Sequence, residues 1–384
     1  LFPVDGGRGL GMERHDMNEP GGHMSDWPSH GGRPEQVLPR LGLAAERSVI
    51  DFSANLNPLG PPSWLAQWIA AGVAELAVYP DPDYREAREA IARHEGLAPE
   101  QVRLTNGGAE AIFLAAALLA RRGVRRALIV QPTFGEYQRA CHHYGIEVAN
   151  FALVEERFVL DEARACEAMR EAGALFLCRP NNPTGTLVER ELIERLLAEG
   201  QRQGTILVVD EAFVDFVIRD ERLTPLLARY DNLLLLRSMT KLYAIPGLRL
   251  GYLLGSAEAV GSIAQLQPPW SVNALAAGLV APLLLDHDYL TQTRAWLDAE
   301  RPWLQDELEA LGLSVVPSHA NFLLLRHGES RSMAALLEHL ARCGILVRHT
   351  HNFIGLEGAW LRVAVRSRPE NRALVETVAL WSEP

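Results

Sequence analysis

The chain has 384 residues, 48% of them hydrophobic, which is enough to bury a large core and predicts two domains or one domain with a sizeable appendage. Its formal charge of −11 at pH 7 disfavours nucleic acid and anionic membrane surfaces, so we expect a small-molecule partner. The longest apolar stretches, residues 111–120 and 274–285, fall short of the roughly 20 residues that a membrane span requires.

The glycine-rich residues 1–24 lack the apolar stretch of a signal peptide, and we predict that they form a flexible leader. Residues 25–50 follow as an N-terminal segment that we expect to pack with the core and with the smaller domain. Gly7 and Gly9 match part of a dinucleotide-binding loop, but no predicted strand precedes them, so we give that match no weight.

From about residue 105, short apolar runs alternate with amphipathic helical stretches. Such runs suit strands buried on both faces, and the alternation predicts an α/β fold with a mostly parallel sheet, which we assign to a large domain at 51–290. The predicted strands are residues 127–130, 174–178, 206–209, 233–236 and 250–254. Ligands of open parallel sheets bind beyond the carboxyl ends of the strands, so the polar residues that follow these runs are expected at one site.

The segment from Thr105 to Glu110 contains Gly107 and Gly108 directly before an apolar helix. Glycines there allow close approach, and the backbone N–H groups and dipole of a helix N-terminus favour a phosphate. The alternative is an ordinary turn and helix cap.

Three further residues follow predicted strands and are candidates for binding a flat, charged ring. Asp210 could hold a protonated ring nitrogen, Phe134 could stack on the ring, and Asn182 could donate its amide to a ring oxygen. The alternatives are a helix cap for Asp210, a core aromatic for Phe134 and a plain turn for Asn182.

Lys241 is the only lysine of the chain, beside 36 arginines. A lysine amine becomes nucleophilic when burial or neighbouring cations lower its pKa, whereas a guanidinium stays protonated, so Lys241 is a candidate Schiff-base lysine. Ser238 and Arg249 flank it and offer a hydroxyl and a forked cation to one anion. The alternative is that Lys241 has no chemical role and remains by chance in an arginine-rich chain.

The C-terminal part, residues 291–384, is predicted as a small α+β domain. Apolar residues recur at helical spacing over 294–311, and a second helix is expected at 332–343. The strand-like pieces are residues 313–316, 321–325, 345–347 and 360–365.

The four cysteines lie far apart, with no Cys-x-x-Cys pair: Cys141, Cys166, Cys178 and Cys343. This spacing argues against a disulfide framework and against a zinc site, and it fits a reducing cytoplasm. We expect no bound metal.

An aldehyde-reactive lysine, a phosphate cup, a carboxylate, a stacking ring and an amide together suggest pyridoxal 5'-phosphate. The chain resembles the class I/II aminotransferases, which are fold-type I pyridoxal-phosphate enzymes, through the pattern Ser-x-x-Lys-x7-Arg-x-Gly that ends at Gly251. From about residue 29 onward it also resembles the threonine-phosphate decarboxylases of cobalamin biosynthesis, a branch of that family. This second likeness rests on residues 30–32, 51–60, 79–84, 210–213 and 269–275.

The resemblance implies roles for particular residues. Lys241 would carry the cofactor, with Asp210 at the ring nitrogen. The remaining cofactor contacts would come from Gly108, Ala109, Glu110, Phe134, Asn182, Ser238, Arg249 and, reaching across a homodimer interface, Tyr79. The substrate contacts that the decarboxylase branch implies are His30, Gly31, Asn55, Asn182, Arg348 and Arg362.

The implied reaction is decarboxylation of L-threonine O-3-phosphate to (R)-1-amino-2-propanol O-2-phosphate. If Cα–H rather than the carboxylate stood perpendicular to the cofactor ring, transamination would follow, and histidinol-phosphate aminotransferase is the alternative function. The residues at 30–32 and Phe213, where many aminotransferases have tyrosine, favour the decarboxylase. A pyridoxal-phosphate-sensing regulator would need a DNA-binding module, which residues 1–24 are too few to form.

Overall fold

The structure, a computed structural model, describes residues 27–154, 157–328 and 332–381 of the chain. The leader predicted at residues 1–24 lies outside the described residues. The helices are α1 (Pro34–Val37), α2 (Leu65–Gly72), α3 (Arg85–Glu95), α4 (Gly107–Arg121), α5 (Glu136–His143), α6 (Glu162–Met169), α7 (Arg190–Gln203), α8 (Met239–Leu242), α9 (Ala257–Ala264), α10 (Ala274–Leu285), α11 (His287–Ala310), α12 (Ala334–Arg342) and α13 (Arg368–Ala379). The strands are β1 (Ile50–Asp51), β2 (Val102–Thr105), β3 (Arg126–Gln131), β4 (Glu147–Ala152), β5 (Ala174–Cys178), β6 (Ile206–Asp210), β7 (Leu233–Ser238), β8 (Gly251–Leu254), β9 (Leu313–Val316), β10 (Phe322–His327), β11 (Ile345–Leu346), β12 (Arg348–His349) and β13 (Leu361–Ala364).

The larger sheet has seven strands within the described residues, in the order β2-β8-β7-β6-β5-β3-β4. Strand β8 is antiparallel to both of its neighbours, and the other pairings are parallel. This mostly parallel sheet, with helices in its crossovers, confirms the α/β fold predicted from the sequence.

The central strands are apolar because both faces of the larger sheet are covered. In β5, Leu175 and Leu177 pack into one hydrophobic cluster, whereas Phe176 and Cys178 pack into the cluster on the other face. Successive side chains of a strand point to opposite faces, so a strand between two helical layers needs an unbroken apolar run.

The smaller sheet has the order β12-β13-β10-β9, and its pairings are antiparallel. Strand β1 pairs in parallel with β11, and the N–H of Phe52 donates to the carbonyl of Leu346 at 2.7 Å. Residues 50–52 therefore attach the N-terminal segment to the C-terminal part. The proposed domain boundary between residues 290 and 291 lies within α11.

Four charged residues whose side chains are buried form an ionic cluster, which we define as Glu95, Arg179, Glu211 and Arg237. A carboxylate oxygen of Glu211 lies 2.9 Å from Arg237, its other oxygen lies 3.4 Å from Arg179, and Glu95 lies 3.5 Å from Arg237. Arg179 and Glu211 directly follow β5 and β6, Arg237 is the penultimate residue of β7, and Glu95 is the last residue of α3. The three strand ends are thus held to one another.

No helix among the described residues is both long enough and apolar enough to cross a membrane.

Candidate active site

Lys241 lies on α8, directly after β7, and is partly buried. Its Nζ donates to Thr240 Oγ1 at 3.0 Å and to Ser238 Oγ at 3.4 Å. Burial lowers the pKa of Lys241 to about 8; the carboxylate of Asp210 opposes this shift, and the guanidinium of Arg249 adds to it. The amine is therefore far easier to deprotonate than an exposed lysine, which suits a covalent nucleophile.

Three glycines bring the loop before α4, strand β8 and Arg249 into close contact. A Cβ on Gly107, whose φ is +75°, would lie 2.7 Å from a guanidinium nitrogen of Arg249. A Cβ on Gly251 would lie 2.9 Å from the carbonyl carbon of Gly107 and 3.0 Å from the nitrogen of Gly108, and one on Gly108 would reach Ser238. The close packing that these glycines permit builds a compact cup from backbone N–H groups, a hydroxyl and a cation.

The first turn of α4 forms one wall of that cup, with Gly108, Ala109 and Glu110 in it. The Glu110 carboxylate accepts from the backbone N–H of Asn106 at 2.6 Å and from Gln267 at 3.0 Å. Glu110 is thus engaged in capping the helix. The N–H groups of the turn and the helix dipole present partial positive charge, which favours a phosphate.

Asp210 ends β6 and is buried. Its carboxylate accepts from the hydroxyl of Tyr137 at 2.7 Å and from the N–H of Ala212 at 2.9 Å. Burial raises the pKa of Asp210, and the hydrogen bond from Tyr137 opposes the rise. A cation at this carboxylate would offset the burial, as a protonated ring nitrogen would. Phe134 makes an edge contact with Tyr137, with ring centroids 6.0 Å apart.

Arg348 on β12 and Arg362 on β13 lie directly opposite each other in the smaller sheet. Both are buried, and among the described residues neither has a carboxylate within ion-pair distance. Burial lowers the pKa of Arg348 to about 10 and that of Arg362 to about 9, so both guanidinium groups are charged at neutral pH. Like charges opposite each other destabilise a sheet, and buried charges need partners. The two buried guanidinium groups therefore suit a ligand that supplies anionic groups as their partners.

The two arginines are held by neutral groups. Arg348 donates to the carbonyl of Ser29 at 2.8 Å, and Arg362 donates to the carbonyl of Ser53 at 2.8 Å. Arg362 also donates to the side-chain oxygen of Asn182. Because that oxygen is the acceptor, the amide N–H groups of Asn182 are directed elsewhere, as the proposed contact with a ring oxygen requires.

Residues 27–32, which we call the strap, carry two of the predicted substrate contacts. The His30 ring lies 5.7 Å from the Phe134 ring, and a Cβ on Gly31 would lie 2.1 Å from the carbonyl oxygen of Ser53. Asn55 is buried, and the described residues offer no hydrogen-bond partner to its side-chain oxygen. His30 therefore lies beside Phe134, and Gly31 lies against Ser53, whose carbonyl accepts from Arg362; Asn55 follows Ser53 by two residues along the chain.

Two residues singled out in the sequence make none of the contacts described above for the candidate site. Tyr79 is 79% exposed and contacts Trp270, with ring centroids 4.9 Å apart. Within one chain it joins none of the contacts described above, so its proposed role depends on a partner subunit. Phe213 is buried and packs edge-on against Phe322 at 5.1 Å. It offers no hydroxyl to the site.

Sequence reasoning missed three residues of the site. Tyr137 was detectable in principle, because a buried tyrosine hydroxyl needs an acceptor and Asp210 was already a candidate. Thr240 stands next to Lys241, and its hydroxyl could have been considered. Glu136 lies 3.3 Å from Nε2 of His30, and nothing in its local sequence indicated this contact.

The arrangement suits a flat cofactor that carries an aldehyde, a phosphate and a basic ring nitrogen. Lys241 would bind the aldehyde, and the cup beside Ser238 and Arg249 would bind the phosphate. Asp210 would hold the protonated nitrogen, and Phe134 would cover the ring. The glycine contacts of the cup and the lowered pKa of Lys241 are the structural support for this fit.

Residues 47–378 match the family model described as aminotransferase class I and II. A threonine-phosphate decarboxylase from Salmonella typhimurium is 38% identical over 357 residues, which cover 90% of this chain and 94% of that protein.

Two solved structures are similar along most of the chain. The histidinol-phosphate aminotransferase from Clostridium acetobutylicum has a TM-score of 0.80 at 29% identity, covering 85% of this chain and 97% of that one. The L-threonine-O-3-phosphate decarboxylase from Porphyromonas gingivalis has a TM-score of 0.75 at 27% identity, again covering 85% and 97%.

Proposed function

The chain belongs to the aminotransferase class I and II family and is a pyridoxal-phosphate-dependent enzyme, and from that premise we propose the reaction that it catalyses. We propose that it decarboxylates L-threonine O-3-phosphate to (R)-1-amino-2-propanol O-2-phosphate, a step of adenosylcobalamin biosynthesis. The 38% identity to a threonine-phosphate decarboxylase supports this proposal.

The observation that carries the proposal is the buried arginine pair. Arg348 and Arg362 face each other across the smaller sheet without a carboxylate partner in the described residues. Two adjacent buried cations fit a substrate with two anionic groups, and arginine suits both because its fork binds carboxylate and phosphate bidentately. Threonine phosphate supplies one of each.

The neighbours of the two arginines suggest which anion each one binds. Arg362 donates to Asn182 and lies close enough to Lys241 to help lower its pKa, so we assign it the carboxylate at the reacting carbon. Arg348 donates to Ser29 of the strap, next to His30, so we assign it the phosphate.

When bound, pyridoxal phosphate supplies an electron-accepting ring for cleavage of a bond at Cα. Asp210 would keep the ring nitrogen protonated, with Tyr137 holding its carboxylate in place. Arg362 would bind the substrate carboxylate and orient it for loss as carbon dioxide. Lys241, held by Thr240 and Ser238, would return a proton to Cα.

Histidinol-phosphate aminotransferase is the alternative, because one of the structural neighbours carries that name. Two features support the decarboxylase instead. The strap brings His30 beside Phe134, and Phe213 lacks the hydroxyl that many aminotransferases direct at the cofactor. The residues at 30–32 and Phe213 both belong to the resemblance to the decarboxylase branch.

The test gives L-threonine phosphate to the purified, cofactor-loaded protein and measures carbon dioxide and aminopropanol phosphate. A parallel reaction contains histidinol phosphate and 2-oxoglutarate and is assayed for glutamate. We expect carbon dioxide in the first reaction and no glutamate in the second. Glutamate formation without release of carbon dioxide would replace the proposal with the aminotransferase.

We also propose that the enzyme works as a homodimer. The exposed Tyr79 and Trp270 lie beside further exposed apolar side chains, namely Val73, Leu76 and Val78. Clustered exposed apolar residues are typical of an interface, and a dimer would allow Tyr79 to reach the phosphate cup of the other subunit.

A further inference from the structure

Glu136 occupies a position that the proposed reaction leaves unexplained. It lies in the first turn of α5, two residues after Phe134, and is nearly buried. One of its carboxylate oxygens lies 3.3 Å from Nε2 of His30. The helix dipole of α5 and Arg139 stabilise this carboxylate, and His30 is the residue of the candidate site that it contacts.

The other charged group at Glu136 is Arg139, one helical turn further along α5. It lies 3.5 Å from each carboxylate oxygen, and its side chain is 70% exposed. The hydrogen bond from His30 lowers the pKa of Glu136, burial opposes this, and Arg139 adds to the lowering. Glu136 is thus ionised at neutral pH, between an exposed arginine and the site histidine.

His30 is positioned from both sides of the strap. The carbonyl of Ser29 accepts from Arg348 at 2.8 Å, and the N–H of Gly32 donates to Ser53 Oγ at 2.7 Å. Trp27 packs on His351, with ring centroids 4.8 Å apart. The strap is therefore anchored at Arg348 and at Ser53, with His30 between these two anchors.

The two nitrogens of the His30 ring have different surroundings. Nε2 faces Glu136, while Nδ1 has no hydrogen-bond partner among the residues that the structure describes. The partner of one imidazole nitrogen fixes the orientation of the ring and what the other nitrogen can do. With Nε2–H donating to Glu136, Nδ1 carries a hydrogen only in the imidazolium form, and that form could donate to an anion that Arg348 also binds.

We propose that Glu136 is a positioning residue for phosphate recognition: it holds His30 through Nε2 and balances its charge, so that Nδ1–H donates to the substrate phosphate beside Arg348. This inference rests on the proposed phosphorylated substrate and deepens it. It predicts that Glu136 contributes to the choice of phosphorylated over unphosphorylated amino acid, and that it does so only through His30.

The test uses Glu136→Gln, His30→Asn and the double variant, all loaded with cofactor. We expect Glu136→Gln to raise KM for L-threonine phosphate about tenfold with little change in kcat, since a charge-assisted hydrogen bond is weakened and not the chemistry. In the His30→Asn background, the same change should alter KM by less than about twofold, because the partner is already gone. With unphosphorylated L-threonine, kcat/KM should differ by less than about twofold between wild type and Glu136→Gln, because that substrate has no phosphate for His30 to bind.

Glu162→Gln is the matched control. Glu162 also lies in the first turn of an eight-residue helix and pairs with an arginine, at 2.9 Å from Arg195, but on the surface. This control should leave KM unchanged. Fully additive effects of Glu136→Gln and His30→Asn, or an equal loss with unphosphorylated threonine, would overturn the proposal.

Binding measurements separate this proposal from the proposed reaction. The change in cofactor absorbance on titration reports affinity for L-threonine phosphate and for histidinol phosphate without turnover. If the wild-type protein releases no carbon dioxide but binds histidinol phosphate, the proposed reaction fails, while the same double-variant comparison still tests Glu136. If wild type and Glu136→Gln bind each phosphate ester with the same affinity, the proposed role of Glu136 is refuted, while the proposed reaction is unaffected.

Discussion

The surroundings of Lys241 explain why this position has a lysine and not an arginine. The chain uses arginine at every other cationic position, yet a guanidinium at 241 could not be deprotonated near neutral pH. Burial lowers the pKa of Lys241 to about 8, which a lysine amine tolerates and a catalytic nucleophile needs. The sequence identified this residue because it is unique.

The first prediction concerns the covalent attachment. Lys241→Arg keeps a cation on α8 but removes the amine, so we expect the visible absorbance of bound cofactor to disappear while circular dichroism and thermal unfolding stay close to wild type. Ser238→Ala, which keeps the amine, should retain the absorbance at saturating cofactor. A visible band in Lys241→Arg would rule out the assigned attachment point.

The second prediction concerns pH. A pKa lowered to about 8 means that the neutral amine increases as the pH rises through 8. The rate of cofactor uptake by the cofactor-free protein should therefore rise about tenfold between pH 7 and pH 9 and level off above that range. Stopped-flow absorbance would measure it. A rate that is flat or falls over this interval contradicts the assignment of Lys241 as the reacting group.

At the scale of elements, the sequence predicted the interior of the larger sheet better than its edges. The interior strands β5, β6 and β7 are buried throughout and apolar up to their last one or two residues, because both faces are covered. The edge strands β2 and β4 were not predicted: β2 contains Arg103, and β4 is largely unburied apart from Phe151. An edge strand loses the continuous apolar signal, so periodicity alone does not find it.

In the candidate site too, local sequence patterns predicted some features and missed others. Residues that follow strand ends were predicted to converge, and Asp210 and Lys241 do lie within electrostatic reach of each other. Contacts between distant segments were not predictable from local pattern. The pairing of Arg348 with Arg362 depends on strand register, and that of His30 with Glu136 depends on where the strap meets the first turn of α5.

The third prediction tests the contact between β8 and the loop before α4. In Gly251→Ala the new methyl group would lie 2.7 Å from the carbonyl oxygen of Arg237 and 2.9 Å from Gly107. We expect a loss of about 1–3 kcal/mol in the free energy of unfolding, together with weaker cofactor binding, because the cup must widen. Denaturant titration and absorbance titration would measure the two effects.

Gly247→Ala is the control for this change, because a Cβ there would meet nothing within 4 Å. It should change the unfolding free energy by less than about 0.5 kcal/mol and leave cofactor affinity unaltered. Equal effects of the two substitutions would mean that the close approach at Gly251 does not shape the cup.

At the scale of the whole molecule, the fourth prediction tests the proposed dimer. If Tyr79 serves the site of the other subunit, Tyr79→Ala and Lys241→Ala should each inactivate a homodimer. A mixed dimer would then contain one intact site, with Lys241 from one chain and Tyr79 from the other.

Unfolding and refolding the two variants together should restore about a quarter of the wild-type activity by random pairing of subunits. Each variant refolded alone is the control and should stay inactive. Activity that does not return, in a mixture shown to have exchanged subunits, would indicate that Tyr79 acts within its own chain or not at all.

The buried ionic cluster also constrains how this protein can vary in evolution. Removing one member, such as Glu211, would leave Arg237 with Glu95 and Arg179 with Glu221 as their remaining carboxylate partners, so the cluster would carry an excess positive charge. Breaking a buried ion pair by removing one partner costs about 3–5 kcal/mol. Its four positions should therefore accept substitutions jointly rather than one by one. Among natural relatives, we expect Glu95, Arg179, Glu211 and Arg237 to be kept or replaced as a set, which would leave a signature of correlated change.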